Sequence, residues 1–170
     1  MTYYGARELA DSFRTVRKNT IQVAEDIPEN QYGFKAAEGC MTVAEMLAHL
    51  AMSHHWAEQL HFVEKKTSVT MEDFGRYMAE MTSAQAALTT KSAIVEALKA
   101  NGEAFATQLA SMTEAQLAEV VTFPGGGKTR FEQLLGVKEH EMHHRGQLMQ
   151  VERMIGIVPH LTRARQQRQQ

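Results

Sequence analysis

The chain has 170 residues, 44% hydrophobic and 22% charged, with a formal net charge of −2 and a single cysteine, Cys40. That length favours one domain with a core of its own. The near-neutral charge argues against a nucleic-acid partner, and one cysteine excludes an internal disulfide and suits a reducing compartment. No apolar run approaches the ~18 residues of a membrane-spanning helix, and the N-terminus lacks the basic and then apolar stretches of a signal peptide. The expectation is a cytoplasmic protein with no membrane contact.

Over residues 4–27, Leu9, Phe13, Val16, Thr20, Val23 and Ile27 recur at 4-3-4-3-4 spacing, the seam of a bundle helix, and Pro28 stops it. Residues 28–41 carry Pro28, Asn30, Gly33 and Gly39 without a sustained period and read as a connector. Thr42 and Glu45 have the capping-box spacing and open a second helix, whose inward face is predicted as Met46, His49, Leu50, Ser53, Trp56, Leu60 and Val63. Thr70 and Asp73 open a short helix over 70–81. A long third bundle helix follows over 91–112, with Ile94, Leu98, Phe105 and Leu109 inward. Thr113 and Gln116 form another capping box, and Phe123, Pro124 and the glycines 125–127 read as a loop, with room for a short hairpin over 120–129. The last helix spans 131–155, with Gly156 and Pro159 beyond it. The fold expected is all-α: an up-down four-helix bundle over 1–158 with short helical inserts, then a polar tail over 159–170 that frays.

Eight histidines stand at 49, 54, 55, 61, 140, 143, 144 and 160. At ~100° per residue, with His140 at the origin, His144 falls near ~40°, Val151 near ~20° and Leu148 near ~80°. His140 and His144 therefore share one face with the aliphatic seam, one turn apart, where a pair of imidazoles can close on one ion. Inward imidazoles need partners, and a metal satisfies them. His49 lies on the apolar face of the second helix, and a bundle core is where ligands from facing helices converge. Three neutral histidines leave coordination positions open, as in a catalytic site rather than a closed structural one. His143 falls near ~−60°, an alternative ligand at the edge of the seam, while His54, His55 and His61 are expected at the rim or surface, and His160 outside the helix.

His140, Glu141 and His144 also satisfy H-E-x-x-H, which in a zinc protease makes Glu141 the general base. The longer form of that motif needs Gly at 147 and His at 150; the chain has Gln147 and Gln150. Glu141 still borders the pair and is a candidate base or orienting residue, against a solvated flank. The stretch from Gly125 to Lys128 and Thr129 imitates the end of a phosphate-binding loop, but Thr122 stands where the earlier glycine is required, and nucleotide binding is not expected there.

Three features together resemble the DinB/YfiT-like family of metal-binding four-helix bundles: TVAEMLAHL over 42–50, HEMHHRGQ over 140–147, and the Ile27, Pro28, Glu29 break before the second helix. The resemblance spans about 4–158. Carried over by position, it implies a triad of His49, His140 and His144 for one divalent ion, nickel, zinc or iron. It implies a homodimer, a small-molecule substrate or low-molecular-weight thiol, and thiol-dependent transfer or metal-dependent hydrolysis. A cationic pocket for the thiol's carboxylates would draw on Arg145 or Arg130. The family's name points to induction by DNA damage, a stress response, and says nothing of DNA binding. A non-enzymatic metal-binding or ligand-sensing module is the competing reading.

Overall fold

The computed structural model describes residues 4–169. Its helices are α1 (Ala6–Asp26), α2 (Val43–Met52), α3 (His55–Glu58), α4 (Met71–Ala86), α5 (Lys91–Ala110), α6 (Glu114–Ala118), α7 (Arg130–Met154) and α8 (His160–Gln167). A hairpin, β1 (Val120–Phe123) and β2 (Gly126–Thr129), joins α6 to α7 with antiparallel register from Val120↔Thr129 to Phe123↔Gly126. It occupies the stretch that imitates a phosphate-binding loop. None of these helices is long and apolar enough to cross a membrane.

The bundle consists of α1, α2 with α3, α5 and α7. The packed pairs are α1 with α5, α5 with α2, α2 with α7 and α7 with α1, so the first two long helices stand across the bundle from each other. Two core clusters set the directions. At one end Val23 and Ile27 meet Leu47, Leu50, Ile94, Leu98, Leu148 and Val151. At the other, Leu9 and Phe13 meet Ala57, Phe105, Leu109, Leu134 and Val137. Hence α1 and α7 run one way, α2 and α5 the other. Two helices that run parallel in succession need a return crossing, and α4 supplies it. The helix runs to Ala86 instead of ending near 81, which carries Gln85 as far as His49.

Capping follows the sequence closely. Thr42, Thr70, Thr113 and Thr129 each accept from the backbone N–H three residues on, and Glu45, Asp73, Gln116 and Glu132 return the bond, each cap worth ~1 kcal/mol. At its far end α7 stops in a Schellman turn. Gly156, at φ 84°, takes the left-handed conformation that glycine tolerates, and the Ile157 N–H reaches Glu152 O at 2.7 Å.

The second helix departs from the straight rod expected over 42–63. It breaks at 53–54 and widens into a π turn, Gln59–Val63. Helical phase does not carry through such irregularities. Val63 therefore lies 62% exposed, whereas His54 and His61, expected at the rim, are buried at 1% and 4%. His54 packs against Phe105, ring centroids 4.9 Å apart, and burial pushes it well below its ordinary pKa. His61 Nδ1 accepts from Arg130 Nη1 at 3.0 Å; burial and then Arg130 hold it down at about 3. Both are neutral core histidines.

The break leaves carbonyls at the end of α2 that need donors. Leu50 O takes Arg17 Nη2 at 3.1 Å and Ser53 Oγ at 3.3 Å, and Ala51 O takes Asn101 Nδ2 at 3.2 Å. Arg17 reaches that end past Gly102, where a Cβ would meet the Arg17 Cγ at 2.7 Å.

The expected frayed tail is instead largely helical: α8 docks beside α1, with Arg163 on Asp26 at 2.5 Å and His160 Nε2 with Asn19 Oδ1 at 3.1 Å. Gln170 lies outside the described residues. Nearby, on α7, Glu152 is fully buried with neither carboxylate oxygen hydrogen-bonded. Burial and then Asp26 raise it to about 7, against Arg163 and Arg153. The folded state thus keeps a proton that the unfolded chain releases near the ordinary carboxylate range. Stability from this group is greatest below that range and falls as pH rises toward about 7. Thermal melts from pH 5 to 8 are expected to show a decline in Tm that Glu152→Gln flattens.

Candidate metal centre

Three histidines from two facing helices meet in the bundle, His49 from the last turn of α2 and His140 and His144 from successive turns of α7. Each offers one ring nitrogen, and these atoms lie within 4.8 Å of one another. His49 Nε2 and His140 Nε2 stand 3.1 Å apart. Two nitrogens sharing an ion at ~2.0–2.1 Å would stand ~3.0–3.4 Å apart, so the pair is already at ligand spacing. Ring centroids are 4.9 Å apart for His49 and His140, 5.2 Å for His49 and His144, and 4.6 Å for His140 and His144. The interplanar angles run from 71° to 82°. The rings meet edge to face, an arrangement that turns nitrogens toward a common point rather than stacking the rings.

The protonation states suit a ligand set. Burial, then His144, His49 and His143, hold His140 down at about 4. Burial and then His144 lower His49. Neutral imidazole carries the lone pair a metal needs.

Two glutamines hold the rings from behind. Gln147 Oε1 stands 2.8 Å from His144 Nδ1. A carbonyl oxygen can only accept, so in this orientation Nδ1–H is the donor and Nε2 is the nitrogen left to face an ion. The same amide reaches His143 with Nε2 at 3.2 Å. From α4, the Gln85 amide meets His49 Nδ1 at 3.3 Å. An amide has two faces. With Nε2 toward the ring, His49 keeps its proton on Nε2 and shares it with His140. With Oε1 toward the ring, the proton moves to Nδ1 and Nε2 is bared for an ion. Gln85→Ala is expected to weaken divalent-metal affinity ~10–100-fold with the fold intact, as loss of such a support does; a competition titration against a chelating dye measures it.

Glu141 is not at this site. It is 1% exposed and its carboxylate takes a two-pronged ion pair from Arg17, Nε to Oε1 at 2.9 Å and Nη2 to Oε2 at 2.9 Å. It is neither a solvated flank nor free to act as the general base, and the zinc-protease reading loses its base. The reason is rotational: at ~100° from His140 it leaves the ligand face and meets α1. His143 is exposed and turned to Gln147. Arg130 is buried in the fold, donating to Glu119 and to Lys66 O. Arg145 Nε is buried without a partner. His55 pairs with Glu80 at 3.0 Å.

Arg17 is the residue that sequence reading missed. Besides Glu141 and Leu50 O it donates to Leu98 O at 3.0 Å. Two of its anchors adjoin the clustered histidines in sequence, Leu50 beside His49 and Glu141 beside His140, so one guanidinium ties the histidine-bearing helices α2 and α7 together and to α5. A signal was present: Arg17 falls four residues after Phe13 and three before Thr20, inside a buried stripe. Gln85 carried no such signal, because only the crossing of α4 brings it to His49.

Two cavities open on the triad. One, of about 300 Å³, is bounded by His49, His140, Ser53, Trp56 and Val137 on one side and by Phe74, Met78 and Met81 of α4 on the other. The second, of about 380 Å³, touches His144 and is bounded by Met41, Met46, Gln147, Val151 and Met154, with the exposed Cys40 on its lining.

The fold and site are those of a helical bundle whose facing helices bring three imidazoles together in an arrangement that could hold a metal ion. The model of the DinB superfamily matches residues 12–148, and the chain belongs to that superfamily. A DinB-like protein of Bacillus subtilis, YjoA, is similar at 24% identity and a TM-score of 0.67, over 88% of this chain and 92% of that one. YfiT of Bacillus subtilis, described as a probable metal-dependent hydrolase with an unusual four-helix bundle topology, is similar at 16% identity and a TM-score of 0.70, over 92% and 91%. These two likenesses show the fold. No curated protein matches the chain.

Proposed function

We propose that this protein is a metal-dependent enzyme that transfers a low-molecular-weight thiol to an electrophilic small molecule, with His49, His140 and His144 holding the ion. The observation that carries this reading is the pair of separate cavities meeting at the triad, one against His49 and His140 and one against His144. A transfer needs two organic molecules at one centre; hydrolysis needs one and a water.

The donor set fits nickel, zinc or iron, all of which imidazole suits. Such an ion would supply Lewis acidity and keep a bound thiol as thiolate. The chain's own part is to hold, orient and exclude. Gln147 fixes the His144 tautomer and Gln85 supports His49, while the apolar walls keep water from the reacting atoms. With such an ion bound, a thiol would lose its proton to solvent without a protein base, which agrees with Glu141 being engaged by Arg17. Hydrolysis is the second reading, favoured by the description of YfiT. A homodimer belongs to the proposal as well, with sedimentation as its check.

The test begins with metal content: about one divalent ion per chain is expected in protein purified under reducing conditions. The loaded protein is then assayed with a panel of thiols and electrophiles, and with esters and amides. Thiol-dependent turnover that His49→Ala abolishes supports the proposal. Turnover of esters without thiol supports hydrolysis, and bound metal with no turnover of either kind leaves a metal-binding module.

A further inference from the structure

The cavity between α4 and the triad has a definite chemistry. Phe74, Met78, Met81 and Gln85 follow one another at 4-3-4 spacing, a single stripe of α4. Its first three members line the cavity and its last holds His49 at 3.3 Å. The stripe thus leads along the cavity to the centre. Apart from the two histidines, the polar groups among the lining residues are the Ser53 hydroxyl, which already donates to Leu50 O, and the Trp56 indole N–H. No charged side chain lines the cavity. A carboxylate or phosphate seated there would lose its hydration with no cationic side chain on the wall to replace it. Phe74, Met78 and Met81 are themselves only partly covered by the protein, so an apolar face remains to be filled. Opposite them, one turn before His140, Gly136 leaves the wall open: a Cβ built there meets nothing within 4 Å. The other cavity, by contrast, carries the amides of Gln147 and Gln150.

We propose that this cavity seats an apolar group of the electrophilic substrate, a phenyl ring or a short branched alkyl chain, with its reacting end at the His49 and His140 edge of the centre. The inference rests on the metal-dependent reading given above. The size agrees: an apolar cavity of ~150 Å³ takes up benzene, so about 300 Å³ holds a ring together with a reacting carbonyl. Met78 and Met81, flexible and polarizable, let the wall adapt to the group, while Phe74 and Trp56 supply flat faces.

The experiment uses the full chain loaded with cobalt(II) and a series of hydroxamates, read by visible absorption of the cobalt. Acetohydroxamate tests the centre alone; longer alkyl hydroxamates and benzohydroxamate test the cavity. Affinity is expected to rise about three- to fourfold per methylene and about tenfold or more for the ring, the gain that buried apolar surface gives. Gly136→Leu fills the cavity at a position where a better helix former replaces glycine, and Met81→Asp puts a charge on its wall. Both variants are expected to bind cobalt and acetohydroxamate as the native chain does and to lose the gain. If acetohydroxamate binds but affinity is flat along the series, or the gain survives both variants, the inference is overturned and the metal reading stands. A gain lost in Met154→Asp instead assigns the group to the other cavity and also overturns it. A chain that takes up no cobalt fails at the first step, and the inference falls with the functional reading.

Discussion

Replacing His140 and His144 together by alanine is expected to abolish divalent-metal binding while leaving the fold intact. The two supply successive turns of one ligand face on α7, and what remains, His49 alone, cannot chelate. The loss is therefore expected to exceed the ~10–100-fold that follows removal of a supporting residue. Folding is not at risk, because both side chains sit at the edge of the core and alanine is the better helix former. A thermal melt separates the two effects. A ligand present at ~1,000 times its Kd stabilises the folded state by ~4 kcal/mol. For a chain of this size that raises Tm by ~8–16 °C. The native protein is expected to gain that shift on adding zinc or nickel, and the double variant to melt unchanged by either. A comparable metal-dependent gain in the variant would remove the triad as the ligand set.

Arg17→Ala is expected to cost more stability than any substitution at the centre. The substitution leaves Glu141 buried at 1% exposure with its charge uncompensated, and breaking one partner of a buried pair costs ~3–5 kcal/mol. It also strips a donor from Leu50 O, at the buried end of α2. The expected fall in Tm is ~6–20 °C. Two further measurements give the role its content. Arg17→Met with Glu141→Leu removes both charges and is expected to recover most of the loss, since an apolar pair of similar volume replaces a buried ion pair at little cost. Metal affinity is expected to drop in Arg17→Ala and to stay reduced in the double variant, because neither restores the tie between the residues beside His49 and His140. If affinity is unchanged in both, Arg17 supports the core but does not position the ligands.

The histidine pair was legible because it needs only local geometry. Two residues four apart on a continuous helix keep their phase whatever the rest of the chain does, and α7 is continuous from Arg130 to Met154. The threonine caps and the Gly156 stop are local for the same reason. The reading failed wherever phase was carried across an irregularity. His54 sits in the break at 53–54 and His61 beyond it, and both are turned inward where a straight helix puts them at the rim. Glu141 shows a different limit. Its angle from His140 was right, but the angle does not say what waits there, and the partner that claimed it comes from 124 residues earlier in the chain.

Sequence by itself determined the helices, most of their ends, the apolar seams and a shared face for His140 and His144, because each depends on neighbours within about two turns. Tertiary structure decided the rest. It laid α1 across from α2, sent α4 back over the second helix so that Gln85 could meet His49, and gave Arg17 to Glu141 instead of leaving that carboxylate to the centre. It brought His49 to 3.1 Å from His140. The resemblance to known bundles anticipated that meeting; periodicity could not. Contacts between residues far apart in the chain depend on how whole helices pack, and packing is settled by the complete set of buried surfaces together.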